Sequence, residues 1–315
     1  MNPKAMLFCL LLAGFPVPAL AQNLATDGGM SINADGPGTV TERPVDNIPS
    51  ERSMFDIGKI VSAGDAALFV SEVGKADGEP IILLHGGLGS RNDFLPLAKH
   101  LAVDFRLVAI DSRGHGRSTL GSVPLTYHQL EQDAAAVLAE LGLSDAGIIG
   151  HSDGGIVALR LATSGIVRPR FVVTVGAHWQ MPADDPTREI YQGITLDEWR
   201  GMFPEQVQTY EAENPAPDFA RLFDATTAMW LGNDDKAYPG ASVRSITSPL
   251  LVVRGDEDFL VSRRQAFELA EQVEGARLLN LPFASHTVLE DSPEDVLPAF
   301  KAFIASLSQT EQRTE

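Results

Sequence analysis

Gly150-His151-Ser152-Asp153-Gly154 follows the apolar, strand-like run Ala146-Gly147-Ile148-Ile149 and precedes the helix-like stretch Gly155-Ile156-Val157-Ala158-Leu159. A G-x-S-x-G sequence between a strand and a helix describes a turn too tight for side chains at its flanks, which explains both glycines. Such a turn exposes the serine hydroxyl at the edge of a sheet. The helix that follows places its N-terminus where negative charge can develop. Five residues of this kind occur by chance in many chains, so their flanks carry the weight.

Strand and helix alternate on both sides of this turn. Phe55 to Val61 and Ala67 to Val73 read as two strands joined at Gly64-Asp65. Pro80 to Leu84 is a short, continuous apolar run, as expected of a buried parallel strand. Phe94 to Leu101 is helix-like, and Arg106 to Ile110 is the next strand. Tyr127 to Leu141 carries Leu130, Ala134, Val137, Leu138 and Leu141 on one face and stops at Gly142. Further strands are expected at 147–150, 171–175, 249–254 and 277–281, with helices at 155–163, 263–272 and 294–307. The alternation predicts an α/β fold with a mostly parallel sheet covered on both faces.

One segment departs from the pattern. Residues 178–247 hold no apolar strand-like run but all three tryptophans, together with Tyr191, Phe203, Tyr210, Phe219, Phe223 and Tyr238. An aromatic insertion of that length reads as a helical cap over a site at the sheet edge. The expected organisation is therefore a core at 54–177 and 248–309 with a cap at 178–247. Upstream, Lys4, the apolar run Ala5 to Val17 and Ala19-Leu20-Ala21 form the pattern of a signal peptide over 1–21. The run is too short to span a bilayer. Residues 22–53 are rich in Gly, Pro, Asn and Ser and read as a flexible linker. These features predict an exported protein, periplasmic or secreted, without a membrane span in its mature chain.

Composition narrows the chemistry. The one cysteine, Cys9, lies in the leader, so the mature chain has no disulfide, cysteine nucleophile or thiolate metal site. A formal charge of −18 over 315 residues argues against nucleic acid and anionic membranes as partners. No metal site and no cofactor are expected, and composition says nothing of oligomeric state.

A serine hydroxyl needs a base, usually a histidine oriented by a carboxylate. Seven histidines compete. His85, His115 and His151 sit in glycine-rich turns, and His100 and His128 lie on helix-like segments. His286 follows the last strand and precedes the last helix, which sets it at the carboxyl end of a parallel sheet, beside the serine turn. The loop after strand 249–254 offers Asp256, Glu257 and Asp258. His178, Trp179 and Met181 follow strand 171–175, and with Met229 and Trp230 they are candidates to line a substrate pocket; packing explains each equally well.

From Phe55 to Leu307 the chain resembles the α/β-hydrolase superfamily, in its serine esterase and lipase-like branch with a helical cap. The resemblance rests on His85-Gly86-Gly87-Leu88-Gly89-Ser90 after an early strand, on D-x-R-G-x-G-x-S at Asp111 to Ser118, and on the elbow. An acid loop and a final histidine loop complete it in the order Ser, Asp, His. The family's G-x-x-D-x-x-V-P pattern fits Gly255 to Ser262, departing only at Ser262, and selects Asp258 over Asp256. The resemblance implies Ser152 as nucleophile, His286 as base and Asp258 as its orienting acid, with the backbone N–H groups of Gly87 and Asp153 as oxyanion hole. It assigns Asp111 to Ser118 a bracing role and implies a small-molecule ester substrate cleaved through an acyl-enzyme. Lactonase, carbon–carbon bond hydrolase and aminopeptidase or amidase chemistry use the same triad, and a ligand-binding protein with slow or no turnover is the alternative of another class. The Asp153 carboxylate either attracts a cationic substrate group or, more plainly, caps the elbow helix.

Overall fold

A computed structural model describes residues 54–314, so the expected signal peptide and linker lie outside the described residues. Eight strands form one sheet: β1 Lys59–Ala63, β2 Ala66–Gly74, β3 Pro80–Leu84, β4 Arg106–Ile110, β5 Gly147–His151, β6 Val172–Val175, β7 Leu250–Gly255 and β8 Arg277–Leu281. Their order is β1-β2-β4-β3-β5-β6-β7-β8. β2 runs antiparallel to β1 and β4, and every other pairing is parallel. The mostly parallel sheet is thus the one the apolar runs predict.

Helices cover it as α1 Leu95–Leu101, α2 Tyr127–Leu141, α3 Asp153–Ser164, α4 Thr187–Gly193, α5 Leu196–Met202, α6 Pro204–Glu213, α7 Phe219–Trp230, α8 Arg263–Gln272, α9 Val288–Asp291 and α10 Pro293–Thr314. Alternating strand residues face two cores. Ile82, Leu84, Ile148, Val172 and Val252 pack with α2, α3 and α8, whereas Ile81, Leu83, Ile149, Val173 and Val253 pack with α1 and α10. Each such side chain removed from water contributes about 1.5–3 kcal/mol before conformational entropy is charged against it. Helix α2 begins where Thr126 Oγ1 accepts the Gln129 N–H at 3.0 Å and ends on Gly142 at φ 67°.

Among the element boundaries that differ from expectation, two are informative. The first strand begins at Lys59 rather than Phe55, because Phe55 lies in a turn, fully buried in the α1/α10 core, with its carbonyl accepting from Arg91 Nε at 3.0 Å. An apolar residue there fills a core without extending the ladder. The helix expected from Phe94 is a 3₁₀ turn, Arg91–Phe94, that passes into α1 at Leu95. Between β6 and β7 the described chain has no strand, only α4 to α7 and a 3₁₀ turn at Gly240–Ser245. Among the described residues no helix is long and apolar enough to cross a membrane.

Candidate active site

The register of the parallel strands sets the carboxyl ends of β5 to β8 in a row. Val175 pairs with His151 and with Val253, and Gly255 pairs with Leu281. The loops that leave these ends carry Ser152, Gly176, Asp258 and His286.

Ser152 stands between β5 and α3 at φ 50°, ψ −116°, a backbone conformation costly for any residue with a Cβ. Its flanking glycines are required by close approach. A Cβ on Gly150 would overlap the Gly154 carbonyl, and one on Gly154 would overlap the backbone carbonyls of Leu84 and His85. The Ser152 N–H donates to the Val175 carbonyl at 2.8 Å, which ties the turn to β6. Asp153 opens α3, so its N–H belongs to the first turn, whose donors lack intrahelical acceptors.

His286 and Asp258 are both buried and meet at 2.9 Å, Nδ1 to Oδ2. The other carboxylate oxygen of Asp258 accepts the Leu260 and Val261 N–H groups, each at 2.9 Å. Arg254 Nη2 donates to the Asp258 carbonyl at 2.8 Å and Nε to that of Val261 at 2.6 Å, bracing the loop from below. Burial alone would raise the Asp258 carboxyl, yet His286 and the two amide donors hold it below the ordinary carboxylate value. Burial would likewise lower the His286 imidazole, and the Asp258 charge reverses this and raises it above 6.5. The ring also abuts Gly176, the residue after Val175, where a Cβ would lie 3.1 Å from both Nδ1 and Cε1. His151, the neighbour of Ser152, places its ring 5.2 Å from that of His286 and its Nε2 at 3.0 Å from the His286 carbonyl. The histidine loop is therefore docked against the residue before Ser152 and against the end of β6.

Asp256 is elsewhere. It pairs with Arg263 and accepts from Asn280 Nδ2 at 2.8 Å, on the outer side of the loop, and these bonds lower its carboxyl to about 2. The chain turns between them, with the Asp258 N–H donating to the Gly255 carbonyl at 3.1 Å, and so sends the two carboxylates apart.

Gly87 lies against the elbow: a Cβ there would run into Asp153 Oδ2 and sit 2.8 Å from Trp230 Cζ2. The Asp153 carboxylate is buried, with Oδ1 accepting from Tyr127 Oη at 2.7 Å and Trp230 Nε1 reaching Oδ1 at 3.0 Å and Oδ2 at 2.9 Å. Burial lifts its pKa to about 6, and the Trp230 and Tyr127 bonds keep it from rising further. Both oxygens are thus engaged by neutral donors. The carboxylate joins α2, α3 and α7 instead of standing free toward a cation. Tyr127 was legible only as the start of a helix, and nothing local marks its hydroxyl as a partner of a residue 26 positions away.

The remaining pocket candidates are buried as well. His178 lies 6.2 Å, ring to ring, from Tyr238, and burial lowers its imidazole to about 4. Its Nε2 and the Trp179 Nε1 have no hydrogen-bond partner among the described residues. Met181 and Met229 join the apolar cluster that also holds Tyr191 and Trp230. The Asp111 to Ser118 segment makes structural bonds: Asp111 accepts from Arg91 Nη1 at 2.6 Å and from the Arg117 N–H at 2.8 Å, and Arg113 grips Asp133. His115 Nδ1 lies 2.9 Å from the Arg113 carbonyl, and its ring is 5.2 Å from that of His85. No cluster of metal-ligating side chains occurs among the described residues.

A buried imidazole–carboxylate pair docked on a strained serine turn at the carboxyl edge of this sheet defines a class of protein. The chain belongs to the alpha/beta hydrolase family, which it matches over residues 81–299. It is 30% identical over 276 residues to the non-heme haloperoxidase of Rhodococcus erythropolis, covering 78% of this chain and 99% of that protein. To the sn-1-specific diacylglycerol lipase ABHD11 of Danio rerio it is 26% identical over 256 residues, 73% of this chain and 80% of that one. Among solved structures it is similar in fold to an esterase from Exiguobacterium antarcticum, with a TM-score of 0.67 at 18% identity, covering 79% of this chain and 100% of that chain. By family it is a hydrolase.

Proposed function

We propose that the protein hydrolyses small to medium carboxylic esters through an acyl-enzyme on Ser152. The observation that carries this reading is the His286–Asp258 pair at 2.9 Å, buried beside a serine held at positive φ. With Nδ1–H committed to Asp258, His286 Nε2 is the nitrogen with a lone pair, able to take the Ser152 hydroxyl proton. Ser152 Oγ bonds to the acyl carbon, and the carbonyl electron pair moves to oxygen, where the N–H groups of Gly87 and Asp153 receive it. Collapse of this intermediate breaks the ester C–O bond, and His286 returns the proton to the leaving alcohol. Water, deprotonated by His286, then cleaves the acyl-enzyme by the same path and releases the acid. Each oxyanion donor is worth about 2.7–4 kcal/mol of barrier.

Labelling with a fluorophosphonate probe tests the reading. Wild type gains one adduct at Ser152 and hydrolyses nitrophenyl acetate, and Ser152→Ala does neither. Absence of both in the wild type overturns the enzyme reading in favour of a ligand-binding protein. Turnover confined to lactones, amides or carbon–carbon substrates moves the assignment to those chemistries. We also propose export, supported by Lys4, the apolar run after it and Ala19-Leu20-Ala21; N-terminal sequencing of the exported form should begin at Gln22.

A further inference from the structure

Trp230 occupies the last position of α7, the final helix before the chain returns toward β7. Its indole is fixed on several sides. The ring stacks on Tyr191, centroids 4.6 Å apart, and Trp199 stands 6.1 Å away. Its carbonyl accepts from Tyr238 Oη at 2.7 Å. Its N–H is held by both oxygens of Asp153. The indole edge lies so close to Gly87 that a Cβ on that glycine would sit 2.8 Å from Cζ2 and 3.1 Å from Nε1. The same carboxylate that seats the indole belongs to the residue whose backbone N–H faces the proposed oxyanion.

We propose that Trp230, latched by Asp153, is the wall that limits the length of the acyl group, so that the Asp153 carboxylate sets substrate size rather than substrate charge. The inference rests on the ester-hydrolase reading above. A carbonyl oxygen seated on the Gly87 and Asp153 N–H groups brings its acyl chain against the indole, because the indole already borders Gly87. The wall yields only if the latch opens. Asp153 acts through Trp230 and is a positioning residue. Asp153→Asn keeps Oδ1 as acceptor for Tyr127 and Trp230 but replaces the Oδ2 acceptor with an amide N–H₂ that opposes the indole N–H, which weakens the latch. Trp230→Phe removes the donor and keeps the ring, and Trp230→Ala removes the wall.

The test compares kcat/KM for nitrophenyl acetate and nitrophenyl octanoate in wild type and these three variants. Wild type should favour acetate. Trp230→Ala should raise the octanoate-to-acetate ratio by about tenfold or more, the range that pocket methylenes command. Asp153→Asn and Trp230→Phe should raise it by smaller factors, and the two together should give no more than either alone. Amide hydrogen exchange in 219–230 should accelerate in Asp153→Asn. An unchanged ratio in all three variants overturns the proposal, as does additive behaviour of Asp153→Asn and Trp230→Phe. If wild type turns over neither ester, the ester reading fails on its own; unchanged exchange in Asp153→Asn would then reject the latch, and accelerated exchange would uphold it. Should Trp230→Ala fail to fold, the Phe and Asn variants carry the decision.

Discussion

Asp258→Asn separates orientation of the base from its mere presence. In the wild type Oδ1 accepts the Leu260 and Val261 N–H groups, and Oδ2 accepts His286 Nδ1–H. An asparagine must keep its carbonyl on the two backbone donors, since turning it would set its amide N–H₂ against both. The amide then faces Nδ1, which can only accept, and the ring proton moves to Nε2. A base protonated on Nε2 cannot take the serine proton. Loss of the correct tautomer in a Ser-His-Asp arrangement costs about 10⁴ in kcat, which at 1.36 kcal/mol per decade is about 5.4 kcal/mol of barrier. Steady-state hydrolysis of nitrophenyl acetate measures this, with near-ultraviolet circular dichroism to establish that the variant is folded. Asp256→Asn is the control, because Asp256 pairs with Arg263 and Asn280 outside the site; exposed pairs of that kind contribute little, and kcat should stay within about threefold. Retention of more than a tenth of wild-type kcat in folded Asp258→Asn, with the large loss in Asp256→Asn, would refute the reasoning.

Two further outcomes follow from the same geometry. The Asp258 charge raises the His286 imidazole, so the acidic limb of kcat/KM against pH should lie above 6.5 in the wild type and move down in Asp258→Asn. In stability, the raised histidine contributes fully below 6.5 and loses its contribution as pH rises through its folded value, whereas the lowered Asp258 contributes above 3.8 and loses as pH falls. The difference in melting temperature between wild type and His286→Ala should therefore be greatest between about pH 4 and 6.5; a difference that grows above pH 8 contradicts the pairing. Gly154→Ala drives a Cβ into the backbone carbonyl of Leu84, which cannot swing aside as a side chain can, and should cost about 1–3 kcal/mol or more by thermal unfolding; an unchanged melting temperature would show that the elbow can relax.

Buried parallel strands announce themselves, because side chains covered on both faces are largely apolar; Pro80 to Leu84 stands where expected, and the strand expected at 249–254 runs Leu250–Gly255. The serine turn is equally legible, since two backbone approaches demand glycine at two fixed positions. Spacing alone leaves Asp256 and Asp258 open; the resemblance to the family pattern selects Asp258, and the loop's path brings that carboxylate to His286. The Trp230–Asp153 bond spans 77 positions and Arg254 braces a loop through carbonyls, neither of which any periodic pattern records. The edge strand β1 begins later than the apolar pattern predicts, because burial of Phe55 mimics ladder membership.

The loops that hold the three site side chains are fastened to one another by main-chain bonds: Ser152 N–H to Val175, Gly176 to Val253, Asp256 to Leu281 and Glu257 to Ala284. None of these four bonds involves a residue of α4 to α7. Substitutions in those helices can reshape what enters with little effect on these loops, apart from the crossings at Trp230 and at Thr187, whose Oγ1 donates to the Leu260 carbonyl at 2.6 Å beside Asp258. On the proposed reading, the loops that react and most of the helices that select are separate stretches of chain, joined at Asp153–Trp230 and Thr187–Leu260, so substrate range can change while the reaction stays put.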